Sequence, residues 1–106
     1  MLVSGSDLYI YTGAGLIKAD AAKNLTTVAK GLDGRANGIV KVSEREFILT
    51  NWSGFAYYIN ADGSSQELLN TSPQRIAAGI NYYDPKSKTM YMTTDEHNTV
   101  VAFRVK

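Results

Sequence analysis

The chain has 106 residues, 44% hydrophobic and 20% charged, enough for one small globular domain with a modest core. A formal net charge of +1, with no run of like charges, excludes a broad electrostatic field for nucleic acid or anionic lipid. The lack of cysteine excludes disulfides, thiolate catalysis and thiolate zinc sites, and no apolar run approaches the ~20 residues of a membrane-spanning helix.

The apolar pattern has a period of two, the mark of half-buried strands. Leu2-Val3-Ser4 and Leu8-Tyr9-Ile10-Tyr11 open the chain as a hairpin, followed by Gly15–Asp20 and Leu25–Ala29. The stretch "MLVSGSDLYIYTG" lacks a basic leader, and its apolar run is broken at once by Ser, Gly and Asp, so it does not read as a signal peptide. "DAAKNLTTVAK" is the one segment with helical character. Its Thr-Thr-Val centre and the flanking Gly31 and Asp33-Gly34 favour a turn followed by a strand.

The same order then recurs. Gly38–Val42, Phe47–Thr50, Gly54–Asn60 and Gln66–Leu69 form a second set, and Gly79–Tyr83, Met90–Thr93 and Asn98–Phe103 a third that stops short of a fourth strand. "NADGSS" is a hairpin turn in which Gly63 supplies a positive φ, and Asp84-Pro85 starts a turn between strands. A period of about forty residues with about four strands per unit is the pattern of β-propeller blades.

The predicted fold is therefore all-β: antiparallel blades of a partial propeller of about three units, bounded near 1–33, 34–73 and 74–106, the last lacking its outer strand. Propellers carry about 4–8 blades, so either this is the C-terminal part of a longer propeller, with blades lost before Met1, or copies assemble, for instance as a homodimer that completes a ring. A stand-alone antiparallel sandwich is the rival fold. The alternating tyrosines, Tyr9/Tyr11 and Tyr57/Tyr58 among them, read as blade-to-blade packing.

"ANGIVKVSEREFILTNWSGFAYYINADG", with "NYYDPKSKTMYMTTDEHNTVVAFRVK", resembles the closing blades of the SMP-30/gluconolactonase-like and NHL-like six-bladed propellers, above all the secreted or periplasmic ones of Bacteroidetes-type bacteria. The shared features are an "NG(I/V)" entry, a strand ending in Asn51-Trp52, the run Gly54–Gly63 and the Tyr-Asp-Pro turn. The resemblance implies a periplasmic or secreted full-length parent. It also implies lactone hydrolysis at a divalent metal such as Ca²⁺, held by a Glu, the Asn of an "NG" motif and the Asp of a "DG" motif. Asn37 matches the Asn, the Glu would lie upstream of this chain, and Ala78-Gly79 stands where "DG" is expected.

In a propeller, the turns entering a blade and those joining its second and third strands share one end. Here they carry Arg35, Asn37, Asn51, Trp52, Arg75, Asp95, Glu96 and His97. Trp and Arg suit stacking and polar capture of a sugar, peptide or other small molecule. Alternatively, Trp52 packs between blades while Asn51 and Ser53 shape the turn. His97, the only histidine, either joins Asp95 and Glu96 as an acid/base group or sits in a solvated hairpin turn. No nucleophile elbow accompanies it. "TGAGLIK" lacks the phosphate-loop pattern. Three sequons, at Asn24, Asn51 and Asn70, matter only in a eukaryotic secretory setting.

The leading expectation is a non-catalytic module that binds a small molecule or protein and needs no cofactor. The runner-up is a metal-dependent lactonase, for which Asn37 is the only supporting residue. A third reading is a structural repeat fragment whose open edges drive self-association.

Overall fold

The computed structural model describes residues 1–12, 15–32, 36–70, 78–94 and 99–105. They form strands and turns with no helix among them, hence none long and apolar enough to cross a membrane. Three antiparallel sheets follow in chain order. The first is β1 (Leu2–Ser4), β2 (Asp7–Thr12), β3 (Gly15–Ala19) and β4 (Leu25–Lys30). The second is β5 (Ala36–Lys41), β6 (Phe47–Asn51), β7 (Phe55–Ile59) and β8 (Ser65–Asn70), and the third is β9 (Ala78–Asp84), β10 (Thr89–Thr94) and β11 (Thr99–Arg104). Each sheet is a meander in which neighbouring strands pair. The all-β architecture of two four-stranded blades and one of three strands agrees with the sequence pattern.

The turns obey local chemistry. Asp20 accepts the backbone N–H of Ala22 at 3.0 Å and of Asn24 at 2.9 Å, closing the segment that had helical character into a turn. The Asp84 carboxylate does the same for Lys86, at 3.1 Å, and takes the Ser87 hydroxyl at 2.8 Å. Gly63 has φ of 88°, as its hairpin turn requires.

Register shows the repeat more sharply than composition does. Between the third and fourth strands, the first blade breaks register at Leu16/Ile17 and the second at Ala56/Tyr57. One extra residue bulges at the same place, Val28 in one blade and Leu68 in the other. The entry strands of the second and third blades each bulge as well, between Ala36 and Gly38 and opposite Met92/Thr94. A bulge adds twist, which keeps successive blades in the same relation to each other. It also corrects the sequence frame of the third blade. Ala78 pairs with Thr94 as Ala36 pairs with Asn51, so Gly79 stands level with Asn37, one position away from Gly38.

Each blade has an upstream face, turned to the blade before it, and a downstream face. Strand alternation divides β6 between them. Phe47 and Leu49 look upstream and meet Tyr9, Tyr11, Leu16, Ala29 and Ile59 in one core cluster. Ile48 looks downstream and, with Ala56, meets Tyr83, Met90, Met92 and Val105 in another. Every residue of β6 is buried, because the middle blade is covered on both faces. That is why "FILT" reads as a continuous apolar run without clean alternation. Of the seven tyrosines, Tyr9, Tyr11, Tyr57, Tyr58 and Tyr83 pack in these two seams, whereas Tyr82 and Tyr91 are exposed.

Gly38 lies at a close approach across the second seam. A Cβ there would lie 2.6 Å from Thr50 Oγ1 and closer still to Asn81 Oδ1. Asn81, on β9, reaches over Gly38 and donates from Nδ2 to the Ile48 carbonyl at 3.4 Å. Its Oδ1 is buried without a hydrogen-bond partner. The glycine of the "NG" pair thus has a packing reason of its own.

Candidate functional site

The pairing of Ala36 with Asn51 places the entry of the second blade beside its β6–β7 turn. Asn37, Asn51 and Trp52 are thereby brought to one end of one blade. Arg35, Arg75, Asp95, Glu96 and His97 lie outside the described residues.

Asn51 is fully buried. Its Oδ1 accepts the Phe55 N–H at 3.0 Å, and its carbonyl accepts the Gly54 N–H at 3.2 Å. These two bonds close the turn over Trp52 and Ser53. Asn51 is therefore a positioning residue beneath the turn. Thr12 fills the equivalent place in the first blade, where its hydroxyl donates to the Gly15 carbonyl at 3.3 Å. Trp52 stands above this anchored turn with 51% of its surface exposed; the described blades do not bury it.

Beneath the same end lies Tyr11. Its hydroxyl is buried and forms no well-aligned hydrogen bond. Burial raises its pKa above the ordinary tyrosine range, and the nearby Tyr57 adds to the rise. The Asn51 side chain beside the hydroxyl offsets this rise only in part. Tyr11 is thus a neutral phenol at ordinary pH.

Among the described residues, the donors do not make up the metal site that the resemblance implies. Asn37 is at hand, but the third blade enters with Ala78-Gly79, and no group of three or more His, Asp or Glu side chains converges among the described residues. A hard cation such as Ca²⁺ takes six to eight oxygens, carboxylates among them.

A larger concavity, missed in the sequence, opens at the opposite end of the first seam. This cleft of about 690 Å³ is bordered by the β1–β2, β5–β6 and β7–β8 turns and by Lys18 and Lys41. Lys41 Nζ donates to Ser4 Oγ at 2.8 Å, lies 3.6 Å from Glu44 and sits 5.9 Å above the Tyr9 ring. Lys18 pairs with Asp7 at 3.5 Å. Each of these lysines already has a carboxylate, and exposed pairs of this kind are worth about 0–1 kcal/mol. The cleft therefore reads as a stitched seam between blades. Its residues lie 37 positions apart in the case of Ser4 and Lys41, so no local motif announces it.

At the second seam a smaller cleft of about 430 Å³ is lined by Glu46, Tyr58, Gln66 and Arg104. Burial, then the hydrogen bond and charge of Glu46, push the Tyr58 phenol up to about 12. It is a hydrogen-bond donor there and not a base.

No protein-family model matches the chain, and no curated protein matches it.

Proposed function

We propose that this protein is a non-catalytic binding module of the propeller type, whose contact surface is the end carrying Trp52. The observation that carries this reading is an indole half exposed on a turn that a buried asparagine holds in shape. An exposed aromatic face presented without loss of side-chain freedom suits a ligand with an apolar face and a polar rim, such as a sugar ring. Asn37 enters the blade at the same end.

Trp52 is the only tryptophan, so its fluorescence reports the site directly. Titration with a panel of neutral oligosaccharides is expected to give a saturable emission change. Calorimetry is expected to show that Trp52→Ala loses binding while keeping its thermal transition. Undiminished binding by Trp52→Ala would place the ligand elsewhere, and a collapsed transition would make Trp52 a packing residue. Either result sinks the proposal.

A further inference from the structure

Both walls of the cleft at the first seam belong to this chain, and the second seam holds an equivalent cleft for comparison. Register aligns the two. Lys18 pairs with Tyr9 as Tyr58 pairs with Ile48, and Lys41 pairs with Phe47 as Tyr83 pairs with Met90. Asp7, which lies 3.5 Å from Lys18, stands in the first blade where Glu46, the partner of Tyr58, stands in the second. The second seam thus places two phenols where the first places two lysines. Tyr83 is buried there in the core cluster, and the cleft left beside it is about 430 Å³. At the first seam the space is about 690 Å³, within the range of about 300–1,000 Å³ typical of small-ligand sites.

Joining two blades therefore requires no lysine, and the pairs that stitch the first seam are exchangeable ones. Glu44, 3.6 Å from Lys41, is 97% exposed, so solvent screens the pair. The Ser4 hydroxyl and the Tyr9 ring hold Lys41 Nζ at the cleft, and the lysine side chain is only 22% exposed. Arg45, on the β5–β6 turn, borders the same space and pairs with no carboxylate among the described residues. Asp62, the remaining carboxylate of the cleft, is turned to its own loop, where it accepts the Ser64 N–H at 2.9 Å and the Ser64 hydroxyl at 2.6 Å.

We infer that this cleft binds a small organic anion, a sugar-sized carboxylate or phosphate monoester, between Lys41 and Arg45. The anionic group takes the place of Glu44 beside Lys41, and Glu44, already in water, is released at little cost. Arg45 gains the partner that the chain itself does not give it, as a planar guanidinium suits either oxyanion. The site lies at the end opposite Trp52, so the inference stands apart from the binding role of that turn.

Calorimetry on the full chain at low ionic strength tests it, with glucuronate, glucose 6-phosphate and neutral glucose as probes. At least one of the two anions is expected to bind saturably and glucose not to bind, with affinity falling as salt is added. The tighter of the two anions tells a carboxylate ligand from a phosphate one. Arg45→Gln, a change at an exposed position, is expected to weaken binding about tenfold or more through the loss of a charge-assisted contact. Lys41→Tyr installs the residue that the repeat carries at the equivalent place, and is expected to abolish binding with an unchanged circular dichroism spectrum. If Lys41→Tyr unfolds, Lys18→Gln replaces it, with a similar loss of affinity expected. Absence of saturable heat with both anions overturns the inference. Equal binding of glucose, or parent affinity in the substituted chains, overturns it too, because the cations of this cleft would not be what holds the ligand.

Discussion

Gly38→Ala is a one-methyl change with a large expected effect. The added carbon would lie 2.6 Å from Thr50 Oγ1 and nearer still to Asn81 Oδ1. Thr50 is fully buried and pairs across the ladder with Gly38, so its hydroxyl has nowhere to move. Asn81 must swing away, losing its 3.4 Å bond to Ile48 and opening the seam between the second and third blades. Overpacking of this kind costs about 1–3 kcal/mol, which lowers the Tm of a domain of this size by roughly 5–20 °C. Thermal unfolding followed by circular dichroism measures it. Asn81→Ala alone is expected to be close to neutral, because it removes a buried oxygen that has no partner. In the Gly38→Ala background it is expected to restore most of the loss, giving a coupling energy of about 1 kcal/mol or more. A Tm for Gly38→Ala equal to that of the parent chain, or strictly additive effects in the double variant, would refute the reasoning. Neither outcome depends on a metal at Asn37.

Leu49→Ala removes a fully buried side chain from the first seam and is expected to destabilise by about 2–5 kcal/mol in denaturant titrations. Asn51→Ala takes the acceptor from the Phe55 amide inside a buried turn; a loss of about 1–3 kcal/mol is expected, together with a shift of Trp52 emission. Alkaline pH acts through Tyr58, whose pKa rises from 10.0 to about 12 on folding. A raised phenol pKa means that the folded state favours the neutral form. Its contribution is therefore complete below pH 10.0 and is lost as pH rises towards about 12. Chemical denaturation over that window is expected to show falling stability, with a shallower fall in Tyr58→Phe. An equal slope in both chains would count against the Glu46–Tyr58 contact.

Much of the architecture is legible in single residues. Alternation along Leu8–Tyr11 and Phe55–Ile59 marks strands, since side chains two apart share a face. Asp20, Gly63 and Asp84 mark turns through bonds made within a few positions. The one-residue offset of the third blade is not legible. The entry strands of the second and third blades each carry one glycine near the start, so Gly79 looks like a partner of Gly38 until the pairing of Ala78 with Thr94 is known. At the site, the sequence brings Trp52 to notice but leaves its orientation open. Asn51 looks like a ligand residue and proves to be buried, because a carboxamide at the end of a strand serves a turn as readily as a ligand.

By itself, the sequence determined the all-β class, the blade-sized repeat and the places of the turns, because these depend on patterns within one strand or one hairpin. Only the tertiary structure decided which faces are covered. The burial of every residue in Phe47–Asn51, the demand for glycine beneath Asn81 and the exposure of Trp52 all depend on how sheets stack. Stacking joins residues tens of positions apart, and no local period records which neighbour a strand face will meet.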